Sequence, residues 1–444
     1  MAIQSVRGMK DVLPPEAPKW RFMEATAREV LAAYGFSELR TPVLERTELF
    51  ARSIGEDTDI VSKEMYTFTD RSGDSLTMRP EATAGVARAF LENKLYAEPG
   101  PHKVFLLGPM FRHERPQKGR LRQFHQLDCE VLGDAGPQSD AELLVMAEHL
   151  LGRLGAGQVQ IVLNSLGCPA CRPAFKQALL AYFTGKTGAL CPDCRQRLAH
   201  NPLRVLDCKV EGCQEIAKKA PLISQSWCPD CRAHLDQVRR LLGMSGVEFR
   251  EEPKLVRGLD YYTRTAFEFK TDRLGAQDAV GGGGRYDGLI EALGGPATPA
   301  IGFALGLERL SLIIDDRPEW AQGPELFIVS VGDSPRRLAF YLCQQLRKQK
   351  GLWVEMNSED KSIKAQLRRA NKMNARNVLF VGGDELASGK LQLKQMSDGS
   401  QAEVDLGKVG DFFLSPAGPE IDHKIASYIE NKLLASICRL IKVS

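Results

Sequence analysis

Residues Phe111–Glu130 read FRHERPQKGRLRQFHQLDCE. Arg112, Arg115, Lys118, Arg120 and Arg122 fall within eleven positions of that stretch, a density of cations that calls for a polyanion close by. Pro116–Gly119 carries turn residues, so the segment reads as two strands joined by a loop, with the arginines aimed at a common point. A guanidinium fork meets phosphate oxygens two at a time, which suits the grip on a nucleotide triphosphate. The plainer reading of the same residues is a solvated basic hairpin.

The flanks extend the β reading. Short β-like runs occur at Thr41–Leu44, Lys103–Leu107, Gln160–Leu163 and Ala266–Lys270. No regular crossover helices separate them, so the expectation is an α+β domain, a largely antiparallel sheet flanked by helices. One helix is predicted over Pro15–Tyr34, where Trp20, Met23, Ala27, Val30, Leu31 and Tyr34 recur at three- and four-residue spacing ahead of Gly35.

The C-terminal part alternates instead: strand Leu326–Val331, helix Arg336–Lys348, strand Leu352–Met356, helix Ile363–Lys372, strand Val378–Val381. That order predicts a separate small α/β domain with a mainly parallel sheet, starting near the polar stretch Asp315–Pro324. A last helix is expected over Asp422–Ile441. The chain then divides into a body of 1–164 with 248–322, an insertion at 165–247, a C-terminal domain at 324–417 and a tail at 418–444.

Composition narrows the function classes. At 444 residues the chain is longer than one compact core supports. Its 43% hydrophobic and 26% charged residues are ordinary globular values, and without an apolar run of about eighteen residues no bilayer crossing is expected. The opening MAIQSVRGMKDVLPPE has neither a signal-like apolar core nor an Arg/Ser-rich amphipathic stretch, so the cytoplasm is the expected compartment. The net charge of +3 is unevenly spread: 165–247 holds twelve basic against six acidic residues, 324–444 eighteen against fourteen, and the remainder is net −7. An acidic body with two basic appendages suits appendages that meet a polyanion, although solvated faces are the simpler account.

Eight of the eleven cysteines lie between Cys168 and Cys231. In a chain with no secretory signal that favours thiolates and metal over disulfides. Cys168-x2-Cys171 and Cys191-x2-Cys194, nineteen residues apart, have zinc-ribbon spacing, and Cys208-x4-Cys213 with Cys228-x2-Cys231 form a looser second set. One or two structural Zn2+ ions are expected, against reduced buried thiols.

Five stretches carry a family resemblance. Phe111–Gln126 is similar to motif 2 of histidyl-tRNA synthetases, Ala300–Leu310 (AIGFALGLERL) to motif 3 of class II synthetases, and Gly35–Glu64, with Pro42, to motif 1. LVRGLDYYTRTAFEF from Leu255 to Phe269 and GGGGRYDGL from Gly281 to Leu289 resemble stretches particular to the histidine enzymes. The likeness spans roughly residues 1–415, with Ala82 and Leu121 departing from the usual pattern.

The resemblance implies a class II catalytic domain, an anticodon-binding C-terminal domain, a homodimer built on motif 1, and the substrates ATP with Mg2+, L-histidine and its tRNA. It makes Arg112, Arg257 and Arg309 the catalytic cations. Arg112, Glu114, Arg120, Phe124 and Arg309 are assigned to ATP. Glu81, Thr83 and Gln126 go to the histidine ammonium, and Glu130, Tyr261 and Tyr262 to the imidazole. The glycines Gly281–Gly284, Gly302 and Gly306 are expected where backbone comes close to substrate, and Glu308 is a candidate for Mg2+. The basic insertion is expected to clamp the acceptor arm, and Lys361, Lys364, Arg368, Arg369 and Lys372 to meet the anticodon. Two other classes compete: a histidine-sensing regulatory paralogue of ATP phosphoribosyltransferase without catalysis, and a zinc-bearing nucleic-acid-binding protein.

Overall fold

The computed structural model describes residues 3–55, 58, 60–275, 278–321, 323–407, 409 and 427–441. Two compact units, Met1–Asp316 and Arg317–Ser444, divide the chain.

The first unit is built on an eight-stranded sheet in the order 37–38, 102–111, 123–132, 300–306, 279–285, 263–270, 160–165, 249–251. All neighbours run antiparallel except the two edge pairs, Ser37 beside Val104 and Ile161 beside Phe249, which are parallel. The long hairpin next to one edge of this sheet is the arginine-rich stretch: His102–Phe111 and Gln123–Leu132 pair from His102 opposite Leu132 to Phe111 opposite Gln123. Gln117 and Arg120 bridge at the tip, with Gly119 at φ +72°, so the predicted turn forms.

The predicted N-terminal helix forms over Ala17–Ala33, and its apolar stripe of Trp20, Met23, Val30 and Leu31 is buried. The strand expected at Thr41–Leu44 begins only at Leu44 and belongs to a separate three-stranded sheet with Tyr66–Thr69 and Ser75–Met78. Thr41 is occupied otherwise: its carbonyl and hydroxyl both accept from Arg79.

The run Gly281–Gly284 lies inside the strand Ala279–Arg285, which sets aside the alternative of a flexible turn. A Cβ on Gly283 would come within 2.0 Å of the Gly302 carbonyl and one on Gly281 within 2.2 Å of the Ala304 carbonyl. Glycine is required here for close strand packing rather than for looseness.

In the insertion, the helices Arg172–Thr184, Pro192–His200 and Glu211–Ala217 gather around Phe175, Leu179, Phe183, Val205 and Ile223, and the long helix Pro229–Met244 leads back to the sheet. Such a core is small for more than eighty residues, which is the situation in which metal sites supplement burial.

The second unit has the parallel order 354–356, 326–330, 377–381. An antiparallel hairpin, Lys390–Gln395 with Gln401–Asp405, extends it and was not anticipated. Its helices Asp333–Lys350 and Ile363–Lys372 match the predicted ones to within a few residues. On the second helix Gln366 and Ala370 face the core, while Lys364, Arg368, Arg369 and Lys372 are exposed, as is Lys361 just ahead of it. Of the predicted tail helix, 422–426 lies outside the described residues, and 429–440 is helical.

Candidate active site

The arginine hairpin, the glycine strand and the strand Ala300–Gly306 carry one cavity of about 830 Å3. Glu81, Thr83, Arg112, Glu114, Arg120, Phe124, Gln126, Glu130, Arg257, Tyr261, Tyr262 and Arg309, the residues expected to hold ATP and histidine, all line it.

Its cations come from distant parts of the chain and are held by their surroundings. Arg112, just past the first hairpin strand, donates through Nε to the Pro80 carbonyl at 2.8 Å and lies 5.3 Å from the Phe124 ring centroid. Arg120 is ion-paired to Glu114. Arg257, in the loop after Phe249–Glu251, bonds Glu268 Oε1 at 2.7 Å and lies over the Tyr262 ring at 5.4 Å. Arg309, on the helix Leu307–Ile313, donates to the carbonyls of Gly119 at 3.0 Å and Ala279 at 2.7 Å. Each guanidinium is thus oriented in advance, so little reorganisation is left when a polyphosphate arrives. Glu308 accepts from the His125 backbone amide at 2.9 Å and from its ring Nδ1 at 3.0 Å, which joins motif 3 to motif 2.

The same cavity is also lined by acidic and aromatic residues. Glu81 accepts from the amides of Thr83 and Ala84, both at 2.8 Å, and so caps the helix Thr83–Glu92. Thr83 Oγ1 donates to Glu130 Oε1 at 2.7 Å, and the Tyr286 hydroxyl to Oε2 at 2.5 Å. Thr83, expected at the ammonium, is therefore also a prop for Glu130. Burial pushes the Glu130 carboxyl up to about 8; the hydrogen bonds from Tyr286 and Thr83 oppose this and the charge of Glu81 adds to it.

Two residues were missed by sequence reading. Tyr286 was noted only as a neighbour of the glycine run, yet it bonds Glu130, while the adjacent Arg285 is fully buried against Asp140 and the carbonyls of Asp134 and Gly136. Asp128 is buried on the cavity wall, and its Oδ2 has no hydrogen-bond partner. Burial, with Glu130 and Glu81 nearby, holds its carboxyl well above the usual range. Alternation along Gln126, Asp128 and Glu130 puts all three on one face of the strand, a signal that the sequence did contain.

The cysteines fall into two groups of four whose sulfurs lie within 4.8 Å of one another, but the grouping corrects the spacing argument. Cys168 and Cys171 join Cys228 and Cys231, with contacts of 3.9 Å for Cys168–Cys228 and 3.8 Å for Cys171–Cys231. Cys191 and Cys194 join Cys208 and Cys213. The pattern is nested: the first cysteine pair meets the last, at the start of the helix Pro229–Met244, and the two middle pairs meet each other. All eight are free thiols.

A mainly antiparallel sheet whose arginine-rich hairpin, glycine strand and helix Leu307–Ile313 border one cavity defines the class II aminoacyl-tRNA synthetase fold. The profile described as histidyl-tRNA synthetase matches residues 8–310, and that described as anticodon binding domain matches 325–415. The chain belongs to the histidyl-tRNA synthetase family. It is 52% identical over 406 residues to the "Histidine--tRNA ligase" of Trichlorobacter lovleyi, covering 91% of this chain and 96% of that one. It is likewise 52% identical over 410 residues to the Desulfosudis oleivorans protein of the same name, covering 92% and 96%. The apo histidyl-tRNA synthetase of S. aureus superposes with a TM-score of 0.77 at 35% identity, over 93% of this chain and 100% of that one. A Bacillus halodurans structure described as an ATP phosphoribosyltransferase regulatory subunit/histidyl-tRNA synthetase shares the fold at 20% identity and a TM-score of 0.63.

Proposed function

We infer that this chain is a histidine–tRNA ligase: histidine and ATP give histidyl-adenylate and diphosphate, and the adenylate then esterifies tRNA(His) with release of AMP. One observation carries the reading. Arg112, Arg257 and Arg309, far apart in sequence, border one cavity that Glu130, Tyr261, Tyr262 and Tyr286 also line, a set suited to a small polar ring.

In the first step the histidine carboxylate attacks the α-phosphorus and the bond to the bridging oxygen of diphosphate breaks. Arg112 and Arg257 neutralise charge on the α-phosphoryl oxygens, and Arg309 steadies the terminal phosphates. Glu114, Arg120 and Phe124 hold the adenine side. Mg2+ arrives with the phosphates and adds further charge neutralisation. In the second step a ribose hydroxyl of tRNA attacks the carbonyl, AMP leaves, and a phosphate oxygen of the adenylate takes the hydroxyl proton, so no lysine or histidine base is required.

Selectivity comes from pairing both ring nitrogens. Glu130 accepts one N–H and a tyrosine hydroxyl satisfies the other nitrogen, so an apolar isostere leaves buried polar groups unpaired. The ammonium is taken by Glu81, Thr83, Gln126 and, we add, Asp128, whose unpartnered oxygen borders the cavity.

Residues 1–164 and 248–322 are assigned to catalysis, 165–247 to the acceptor arm, 324–417 to the anticodon through the exposed basic helix Ile363–Lys372, and 418–444 to a tail of unassigned role. Each cysteine group is assigned one structural Zn2+. A homodimer through the motif 1 region and a cytoplasmic location complete the reading; no helix among the described residues is long and apolar enough to cross a membrane. Neither competing class is favoured by a specific observation: a plain nucleic-acid binder has no use for a set of preoriented arginines beside Glu130 and three tyrosines in one cavity. Exchange of labelled diphosphate into ATP that depends on histidine tests the function, and absence of exchange with correctly folded protein overturns it.

A further inference from the structure

The inner cysteine group forms part of the nucleotide cavity. Cys191 and Cys208 line that cavity beside Asp207 and Lys209, whereas no cysteine of the outer group does. Their sulfurs are 3.9 Å apart. Four thiolates about 2.3 Å from one Zn2+ in a tetrahedron stand roughly 3.8 Å from each other, so this edge already has metal-site length. Backbone amides donate to these sulfurs: Cys191 to Cys213 Sγ at 3.2 Å, and Cys194 to Cys191 Sγ and Val210 to Cys208 Sγ, both at 3.4 Å. Such donors offset the charge of a tetrathiolate and fix its ligands.

Two links run from this group to the substrate side. Asn201, between the two ligand pairs, donates through Nδ2 to Asp260 Oδ1 at 2.7 Å, in the loop that bears Arg257, Tyr261 and Tyr262. Lys209, next to Cys208, pairs with Asp207 at 3.1 Å. Lys209 borders the same cavity as Glu268, the carboxylate that pairs with Arg257. Without a metal, four unbonded thiols leave the segment Asp207–Lys209 and the Asn201 contact to be ordered each time ATP binds.

We propose that the inner group, Cys191, Cys194, Cys208 and Cys213, binds Zn2+ and that this zinc is energetically coupled to ATP, because it fixes one wall of the nucleotide cavity. The outer group, Cys168, Cys171, Cys228 and Cys231, only staples the ends of the insertion and is uncoupled. This rests on the nucleotide-binding reading above. Coupling is reciprocal, so ATP must tighten the inner zinc by the factor by which zinc tightens ATP, about fivefold or more for a typical linkage.

The experiment is zinc competition on the purified full-length protein with a chromophoric chelator, in the presence and absence of ATP and histidinol, which has no carboxylate to react. Two zincs per chain are expected, and ATP with histidinol should raise the affinity of one about fivefold or more while leaving the other unchanged. Cys194→Ala, which does not border the cavity, should remove the ATP-responsive zinc and raise the KM for ATP in diphosphate exchange by a similar factor. Two zincs that both ignore ATP overturn the coupling, and the wild-type measurement decides this even if the variant does not fold. Protein that takes up no zinc in the competition yet still performs exchange overturns the metal sites and leaves the ligase reading standing.

Discussion

Glu130 lies directly opposite Gly302 in the pairing of Gln123–Leu132 with Ala300–Gly306, and a Cβ on Gly302 would stand 1.5 Å from Glu130 Oε2. The proposed histidine pocket therefore depends on the absence of a methyl group on a neighbouring strand. Gly302→Ala must push Glu130 away from Tyr286 and Thr83. The expected result is a KM for histidine raised by about 100-fold, from the loss of two buried hydrogen bonds of roughly 1–1.5 kcal/mol each, along with a lower Tm. Unaltered histidine kinetics in this variant would mean that Glu130 is not where histidine binds.

The carboxyl of Glu130, pushed up to about 8, makes histidine binding depend on pH. At pH 7 the free enzyme holds Glu130 mostly protonated, whereas the ionised form is the better acceptor for an imidazole N–H. Binding then releases a proton, and affinity for histidine should improve as pH rises, levelling off above about 8. Between pH 6.5 and 8 the KM should fall by about tenfold beyond what titration of free histidine explains. In Glu130→Gln that limb should vanish, and its persistence there would assign the titration to another group.

Asp128→Asn keeps the shape of the wall but removes its capacity for negative charge. We expect the KM for histidine and the Kd of histidinol to rise together by about tenfold, with kcat within about twofold, since an ammonium contact is made equally in ground and transition states. A fall in kcat with an unchanged KM would instead place Asp128 at the reacting centre.

Arg257→Ala removes the cation proposed for the α-phosphate and leaves Glu268 paired only with Lys270, at 3.4 Å. Exchange kcat should drop about 100- to 1000-fold, the usual scale for losing one preoriented charge donor. Arg257→Lys should restore only part of it, because an ammonium cannot reproduce the guanidinium fork. An alanine variant that retains more than a tenth of the rate would remove Arg257 from the chemistry.

Much of the fold was legible. The helix Ala17–Ala33, the hairpin around Gly119 and the alternation of the second unit were read from apolar spacing and turn residues, because these are local signals. Less legible was the strand through Gly281–Gly284, since glycine has no side chain to show a period, and the hairpin Lys390–Asp405, whose polar edge strands look like loop. In the cavity the residues of the recognised motifs were found, but Tyr286 as the support of Glu130 was not, because that contact spans 156 positions of chain.

By itself, the sequence determined which chemical groups the protein has to work with: arginine forks, an acid set beside tyrosines, and eight clustered thiols. Residue type fixes such chemistry whatever the contacts. Only the tertiary structure decided that the thiols pair as nested sets, that Thr83 and Tyr286 both serve Glu130, that Asp128 is left without a partner, and that the insertion walls the nucleotide cavity. Those facts depend on which distant segments the sheet order brings side by side, and a one-dimensional spacing does not encode which of several loop closures the packing selects.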